Sequence, residues 1–328
     1  MTTVRGSASS SGHITLLFSV QDSSIHLLEQ GSRGVGLCID TDEPTCSIVV
    51  EGVLCDDEEE PSVDNHTHLP LHQTVIEELA KYCPEITDYY WQINQYCSLP
   101  QQQGFGLSAA GALACAMALQ IALGVEPSIA KPRSFQIAHI VERRLSGGLG
   151  DVSALWVGGV DLRREPGCPF LSDDYGGNGE VESWHHPMQM LVVWRNRKTR
   201  HTSSYIDNPE WKVRIRMSGE ETITPLLSGD WNSYRWREIL DAATIFANQS
   251  GLASDAGRAE LLDIANEAIV ASGTNATPLL CMLGESVVII PNNLDSNLSI
   301  NEMGKIADYL ESVNLQSCIV NLSSDTLR

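Results

Sequence analysis

One glycine-rich stretch and four polar residues are the parts of this 328-residue chain whose types and spacing suit chemistry. The stretch runs from Pro100 to Ala116, where Gly104 and Gly106 bracket Phe105 ahead of Leu107, Ser108, Ala109 and Ala110. A glycine-punctuated turn opening an apolar helix presents N–H groups with no intrahelical partner, at the positive end of the helix dipole. Such an end accepts polyphosphate: glycines permit close approach, and the Ser108 hydroxyl can turn to a phosphate or its Mg²⁺. Close packing alone also produces glycine-rich helix entries. The stretch lacks both the Lys-Ser/Thr pair of a P-loop and the glycine spacing of a dinucleotide fingerprint.

Asp151 follows Gly147, Gly148 and Gly150 on a turn, where a carboxylate would stand at the edge of a cleft. Phosphoryl transfer needs little covalent help, and one carboxylate facing a phosphate loop would serve as its base. The alternative is a turn residue or helix cap. Glu142 could give Mg²⁺ a carboxylate, or could be a surface residue paired with Arg143 or Arg144. His13 and Arg33 lie in glycine-flanked segments. Arg33 suits the recognition of an acidic substrate, with a structural salt bridge as its plainer reading.

The formal net charge of −21 leaves no basic footprint for nucleic acid or an anionic membrane. Local N–H groups, arginines and Mg²⁺ would have to reverse that field to hold ATP. No apolar run is long enough to cross a bilayer, and the first residues lack the pattern of a signal peptide, so a cytoplasmic location is expected. The nine cysteines are scattered without a C-x-x-C pair, which argues against a zinc site or disulfide framework. His66, His68, His72, His185 and His186 lack companions at ligand spacing and read as exposed. The tryptophans of the second half read as packing.

The length predicts about two domains. Residues 11–20 read as a strand after a flexible Ser-rich start, and Gly31–Gly36 leads into a strand at Leu37–Asp40. Cys46–Val53 is an apolar run, and Asp56–Glu60 a solvated charge block. Helical periods cover Leu71–Cys83 and Ser134–Leu145, and Ile86–Leu99 alternates as a strand. Gly124 is placed to stop the phosphate-loop helix. The polar segment 172–183 reads as a mobile loop or linker. Further on come a strand at Met188–Trp194, helices at Tyr234–Gln249, Arg258–Ala271 and Glu302–Val313, and two strands within Leu279–Ile290.

The loop itself resembles the phosphate loop of the GHMP kinase superfamily, with Pro100, Gly104, Phe105, Gly106, Ser108, Ala109 and Ala110 at matching places and Leu107 replacing a serine. Across the chain, Gly12-His13-Ile14-Thr15, Gly31–Gly36, Gly104–Leu113, Gly148–Val152, Gly158-Gly159-Val160, Pro166-Gly167 and Met282-Leu283-Gly284 occur in the order of the archaeal pantoate kinases. Ser11 and Leu16 depart from that family's Pro and Gly. The resemblance implies a two-domain α/β (α+β) kinase: a ribosomal-S5-like, ATP-binding domain over residues 1–165 and a ferredoxin-like domain over 166–328. It implies ATP and Mg²⁺ as cofactors, with Pro100 and residues 104–110 on the nucleotide, Ser108 and Glu142 on the metal, and Asp151 as the catalytic base. The expected reaction is phosphorylation of the primary hydroxyl of pantoate for coenzyme A synthesis, with Arg33 gripping the carboxylate and His13 hydrogen-bonding the acceptor. A mevalonate or mevalonate-phosphate kinase is the runner-up, and a non-catalytic ligand-binding protein the alternative from another class. A homodimer is a further expectation.

Overall fold

The computed structural model describes residues 2–55, 70–196 and 208–328. The charge block at 56–60, His66 and His68 lie outside the described residues. Strands β1 (Thr3–Ser10), β2 (Gly12–Gln21), β3 (Gly31–Asp40) and β4 (Cys46–Leu54) precede helix α1 (Pro70–Leu79) and strand β5 (Tyr89–Cys97). The residues ahead of Ser11, expected to be flexible, form β1 instead, paired with β4 from Thr3↔Val53 to Ser10↔Cys46. Serine, glycine and alanine carry little strand propensity, so the ladder to β4 and the helix beneath, not local preference, make this strand. A Cβ on Gly6 would lie 2.1 Å from the Ala118 carbonyl oxygen, so only glycine lets β1 lie so close to that helix.

That helix is α2 (Leu107–Ala122), apolar on every side and buried almost throughout. It lies on the inner face of the three-stranded sheet β1-β4-β5, with α1 and α3 (Pro127–Arg144) packed against it. Small side chains allow this close approach on several sides at once. Leu123 and then Gly124, at φ 74°, end the helix as expected. Helix α3 starts seven residues earlier than its apolar period suggested, with Pro127 at the first helical position, where a missing N–H costs nothing. Asp151 opens the short helix α4 (Asp151–Val157).

The second sheet gathers β6 (Val160–Glu165), β9 (Glu180–Trp184), β10 (Gln189–Trp194), β11 (Ala276–Leu280), β12 (Ser286–Pro291) and β13 (Gln316–Leu322) in the order β11-β12-β10-β13-β3-β6-β9, with β2 also on β3. Strands β7 (Phe170–Ser172) and β8 (Tyr175–Gly176) form a small hairpin. The expected linker at 172–183 is therefore mostly strand: β9 pairs with β6 from Val160↔Trp184 to Glu165↔Glu180. Ladder hydrogen bonds override its polar composition.

Helices α5 (Pro209–Ile223), α6 (Trp236–Gln249), α7 (Ala256–Ser272) and α8 (Ile300–Ser312) belong to the second half. Its core includes Met190, Val192, Phe246, Leu261, Val288 and Ile306. The tryptophans pack as expected: Trp231 and Trp236 donate their indole N–H groups to the carbonyls of Val160 and Pro291, both at 2.9 Å. None of the described helices is long and apolar enough to cross a membrane.

Candidate active site

The turn before α2 is held in shape by its glycines. Gly104 and Gly106 have φ of 80° and 65°, a left-handed conformation that side chains resist. A Cβ on Gly106 would come within 2.9–3.0 Å of the nitrogen, Cβ and oxygen of His13. The loop thus rests directly on β2, and the His13 amide donates to the Phe105 carbonyl at 3.0 Å. No side chain caps α2. Its first N–H groups accordingly meet a cavity of about 340 Å³ lined by Gly104–Ser108, Glu142, Gly147–Asp151, Thr15 and Leu283.

Across that cavity the glycine turn 147–150 brings two carboxylates together. Cβ atoms on Gly147 and Gly148 would fall 2.5 Å from Glu142 Oε2 and 2.0 Å from Asp151 Oδ2. The Arg143 guanidinium pins the turn through the carbonyls of both glycines, each at 2.9 Å. Glu142 is 1% exposed, not a surface residue. The Ser108 hydroxyl and the Gly148 amide donate to its two oxygens, the latter at 2.5 Å. Burial, helped by the nearby Asp151 charge, still pushes its carboxyl up to about 7. A buried carboxylate beside a hydroxyl, short of positive charge, fits a hard divalent cation. Among the described residues no group of three or more His, Cys, Asp or Glu could hold a metal ion.

His13 does not face the cavity. It is fully buried and bridges two aspartates, Nδ1 to Asp151 Oδ1 at 2.6 Å and Nε2 to Asp161 Oδ1 at 2.8 Å. Burial opposes its charge, but the two carboxylates outweigh that and raise its pKa above the ordinary value. Burial likewise opposes ionisation of Asp151, and the hydrogen bond and charge of His13, with the charge of Arg163, outweigh it and hold its carboxyl below the usual range. Thr15 reaches the same Asp151 oxygen at 3.4 Å, beside the bulge at Leu16 that breaks the β2–β3 register.

Arg33 is not brought to the cavity. Successive strand side chains point to opposite faces, so Ser32 lines the cavity while Arg33 turns away. Its guanidinium reaches Glu220 at 3.0 Å, Glu165 at 2.9 Å and the Arg164 carbonyl at 3.0 Å, the structural salt bridge its plainer reading anticipated. A different arginine stands closer. Arg163 is 1% exposed, and its guanidinium nitrogens have no hydrogen-bond partner, only an ion pair to Asp161 at 3.4 Å. It lies under the lining: a Cβ on Gly150 would be 2.8 Å from Arg163 Nε and 2.4 Å from Ser32 Oγ. The strand reads VDLRRE, and nothing in its sequence separates Arg163 from the more exposed Arg164 beside it. His72, expected to be exposed, is buried and bonds Gln95 at 2.9 Å, because α1 packs against α2 and α3.

The profile of the GHMP kinases N terminal domain matches residues 71–159, the segment carrying the loop, Glu142 and Asp151. A pantoate kinase of Thermococcus kodakarensis is 28% identical over 250 residues, 73% of each chain. One from Methanospirillum hungatei is 38% identical over 207 residues, 60% of this chain and 63% of that relative. Among solved structures, a phosphotransferase related to the CoA biosynthesis pathway superimposes with a TM-score of 0.75 at 22% identity, over 100% of this chain and 98% of the other. The mixed α/β fold, the loop-bearing segment and the relatives agree: residues 71–159 match the GHMP kinases N terminal domain, and the chain as a whole is similar to pantoate kinases.

Proposed function

We propose that the protein transfers the γ-phosphoryl group of ATP to the primary hydroxyl of pantoate, forming 4-phosphopantoate. One observation carries this reading: the uncapped N-terminus of α2 and the ionised Asp151 line the same cavity. The relatives named above supply the acceptor. In this reading the N–H groups of residues 107–109 take the phosphates, and Gly104 and Gly106 let them approach. Asp151 faces the acceptor hydroxyl, orients it and receives its proton as the oxygen–phosphorus bond forms. His13 acts through Asp151, keeping it charged and turned into the cavity. Ser108 and Glu142 would hold Mg²⁺, which when bound neutralises phosphate charge.

Arg163 replaces Arg33 as the proposed partner of the pantoate carboxylate. A buried guanidinium without hydrogen bonds is costly, and a carboxylate entering over Gly150 would relieve that cost. Ser32 offers a hydroxyl beside it. The same reading places the nucleotide site within residues 1–165, up to the end of β6, and the rest of the chain in a second unit. A coupled ADP-release assay over pantoate, mevalonate, mevalonate phosphates, homoserine and galactose tests the proposal. Preference for pantoate is expected. Preference for a mevalonate compound would overturn the acceptor, and ATP binding without turnover on any acceptor would overturn catalysis.

A further inference from the structure

Two cysteines, far apart in sequence, face each other at the point where β5 hands the chain to the phosphate loop. Cys46 opens β4, Cys97 closes β5, and the antiparallel register places them directly opposite. The Ser98 amide donates to the Thr45 carbonyl at 3.1 Å, one residue beyond the pair on each strand. That bond makes Cys46 and Cys97 a non-hydrogen-bonded pair, the closer of the two antiparallel arrangements. Pairs of that kind have Cα atoms about 4.5 Å apart, inside the window of roughly 4.4–6.8 Å that a disulfide tolerates. Both side chains turn to the sheet's inner face: Ile48, two residues from Cys46, is buried, and Gln95, two residues from Cys97, lines the cavity.

We propose that Cys46 and Cys97 are a reversible thiol modification site, Cys97 reacting first with a low-molecular-weight disulfide and Cys46 then closing a cross-strand bond. Their surroundings divide the two roles. Cys97 is partly exposed, whereas Cys46 is fully buried. The Gln95 amide donates to Cys97 Sγ at 3.3 Å. The thiol of Cys46 is hydrogen-bonded to it as well, and with that bond first the Cys97 pKa is drawn down to about 6. The same bond, and then burial, push the Cys46 thiol up. The remaining titratable neighbour of Cys46 is the buried thiol of Cys115 on α2.

In the first step the Cys97 thiolate attacks one sulfur of the external disulfide; that S–S bond breaks, and one thiolate leaves and takes up a proton. Cys46 then gives up its proton and its sulfur attacks the Cys97 sulfur, expelling the second external thiol. The two cysteine thiols lose two electrons in all, and the external disulfide gains them as two thiols.

The test treats the full chain with oxidised glutathione, alkylates the remaining free thiols and maps the peptides by mass spectrometry. The expected product joins the peptides of Cys46 and Cys97 with the loss of two hydrogens, and dithiothreitol restores both thiols. Cys46→Ser should stop at a glutathione adduct on Cys97, and Cys97→Ser should leave Cys46 unmodified. The proposal is overturned if wild-type protein keeps both thiols free, if either pairs with a different cysteine, or if Cys46 is modified in the Cys97→Ser variant. The wild-type arm decides even where a variant fails to fold.

Discussion

His13 Nδ1 lies 2.6 Å from Asp151 Oδ1, and that contact couples the start of a buried strand to the one carboxylate of the cavity that it keeps charged. Because Asp161 holds the other ring nitrogen at 2.8 Å, the imidazole cannot rotate without breaking a second buried bond. The carboxylate proposed to accept the proton is thus fixed in place by two residues, His13 and Asp161, that do not line the cavity.

Asp151→Asn should leave the fold and ATP binding intact while lowering turnover by about 10²–10⁴-fold, the usual worth of a general base. Steady-state ADP release, with nucleotide affinity from calorimetry, measures it. A loss under about threefold would reduce Asp151 to a helix-opening residue.

Replacing His13 with Ala should destabilise the protein by about 3–5 kcal/mol, since two carboxylates are left facing a buried void. The sign with pH follows from the direction of the shift. The folded-state pKa of His13 is raised, so its contribution is complete below the unfolded value of about 6.5 and fades as pH rises through the folded value. Urea midpoints of wild type and His13→Ala should converge as pH rises. A gap that widens with pH would exclude a charged His13.

Arg163→Ala should raise the KM for pantoate by about one to two orders of magnitude, matching the roughly 1.5–3 kcal/mol of a charged hydrogen bond. The KM for ATP should hardly move. Arg33→Ala should leave the pantoate KM within about twofold, because exposed ion pairs are worth about 0–1 kcal/mol. The reverse ranking would restore Arg33 as the acceptor's partner.

Gly106→Ala forces a side chain into a left-handed conformation, costing about 1–2 kcal/mol, and against the backbone of His13. Both thermal stability and ATP affinity should fall. Gly124→Ala, also at positive φ but with open space around its missing Cβ, should cost stability alone. Unchanged ATP affinity in folded Gly106→Ala protein would remove the loop from the nucleotide site.

The parts legible in the sequence were those governed by local rules. Glycine spacing and an all-apolar run marked α2 and its entry, and the glycine turn pointed to Asp151. Features set by distant partners were hidden. Arg33 looked available because Glu220, on α5, is 187 residues away, yet it closes the ion pair. His13 looked like a ligand contact because nothing local reveals that β2 is buried along nearly its whole length. Arg163 escaped notice for the converse reason: in a strand reading DLRRE it resembles its neighbour Arg164, and only burial tells them apart.

β3 carries β2 along one side; along the other it meets β6 and then, at Ile39 and Asp40, the final strand β13. Those two partners, Leu322 and Asn321, lie 283 and 281 residues further along the chain. The strand that supports the glycine loop through β2 therefore waits until 281 further residues have been made before its edge begins to close. Until then Ile39 and Asp40 present unpaired backbone groups, an invitation to intermolecular pairing. Contacts spanning so much chain also slow folding, because their loop entropy is lost before they form. A nascent chain stalled before β13 should accordingly be a better client for chaperones than one stalled just after it.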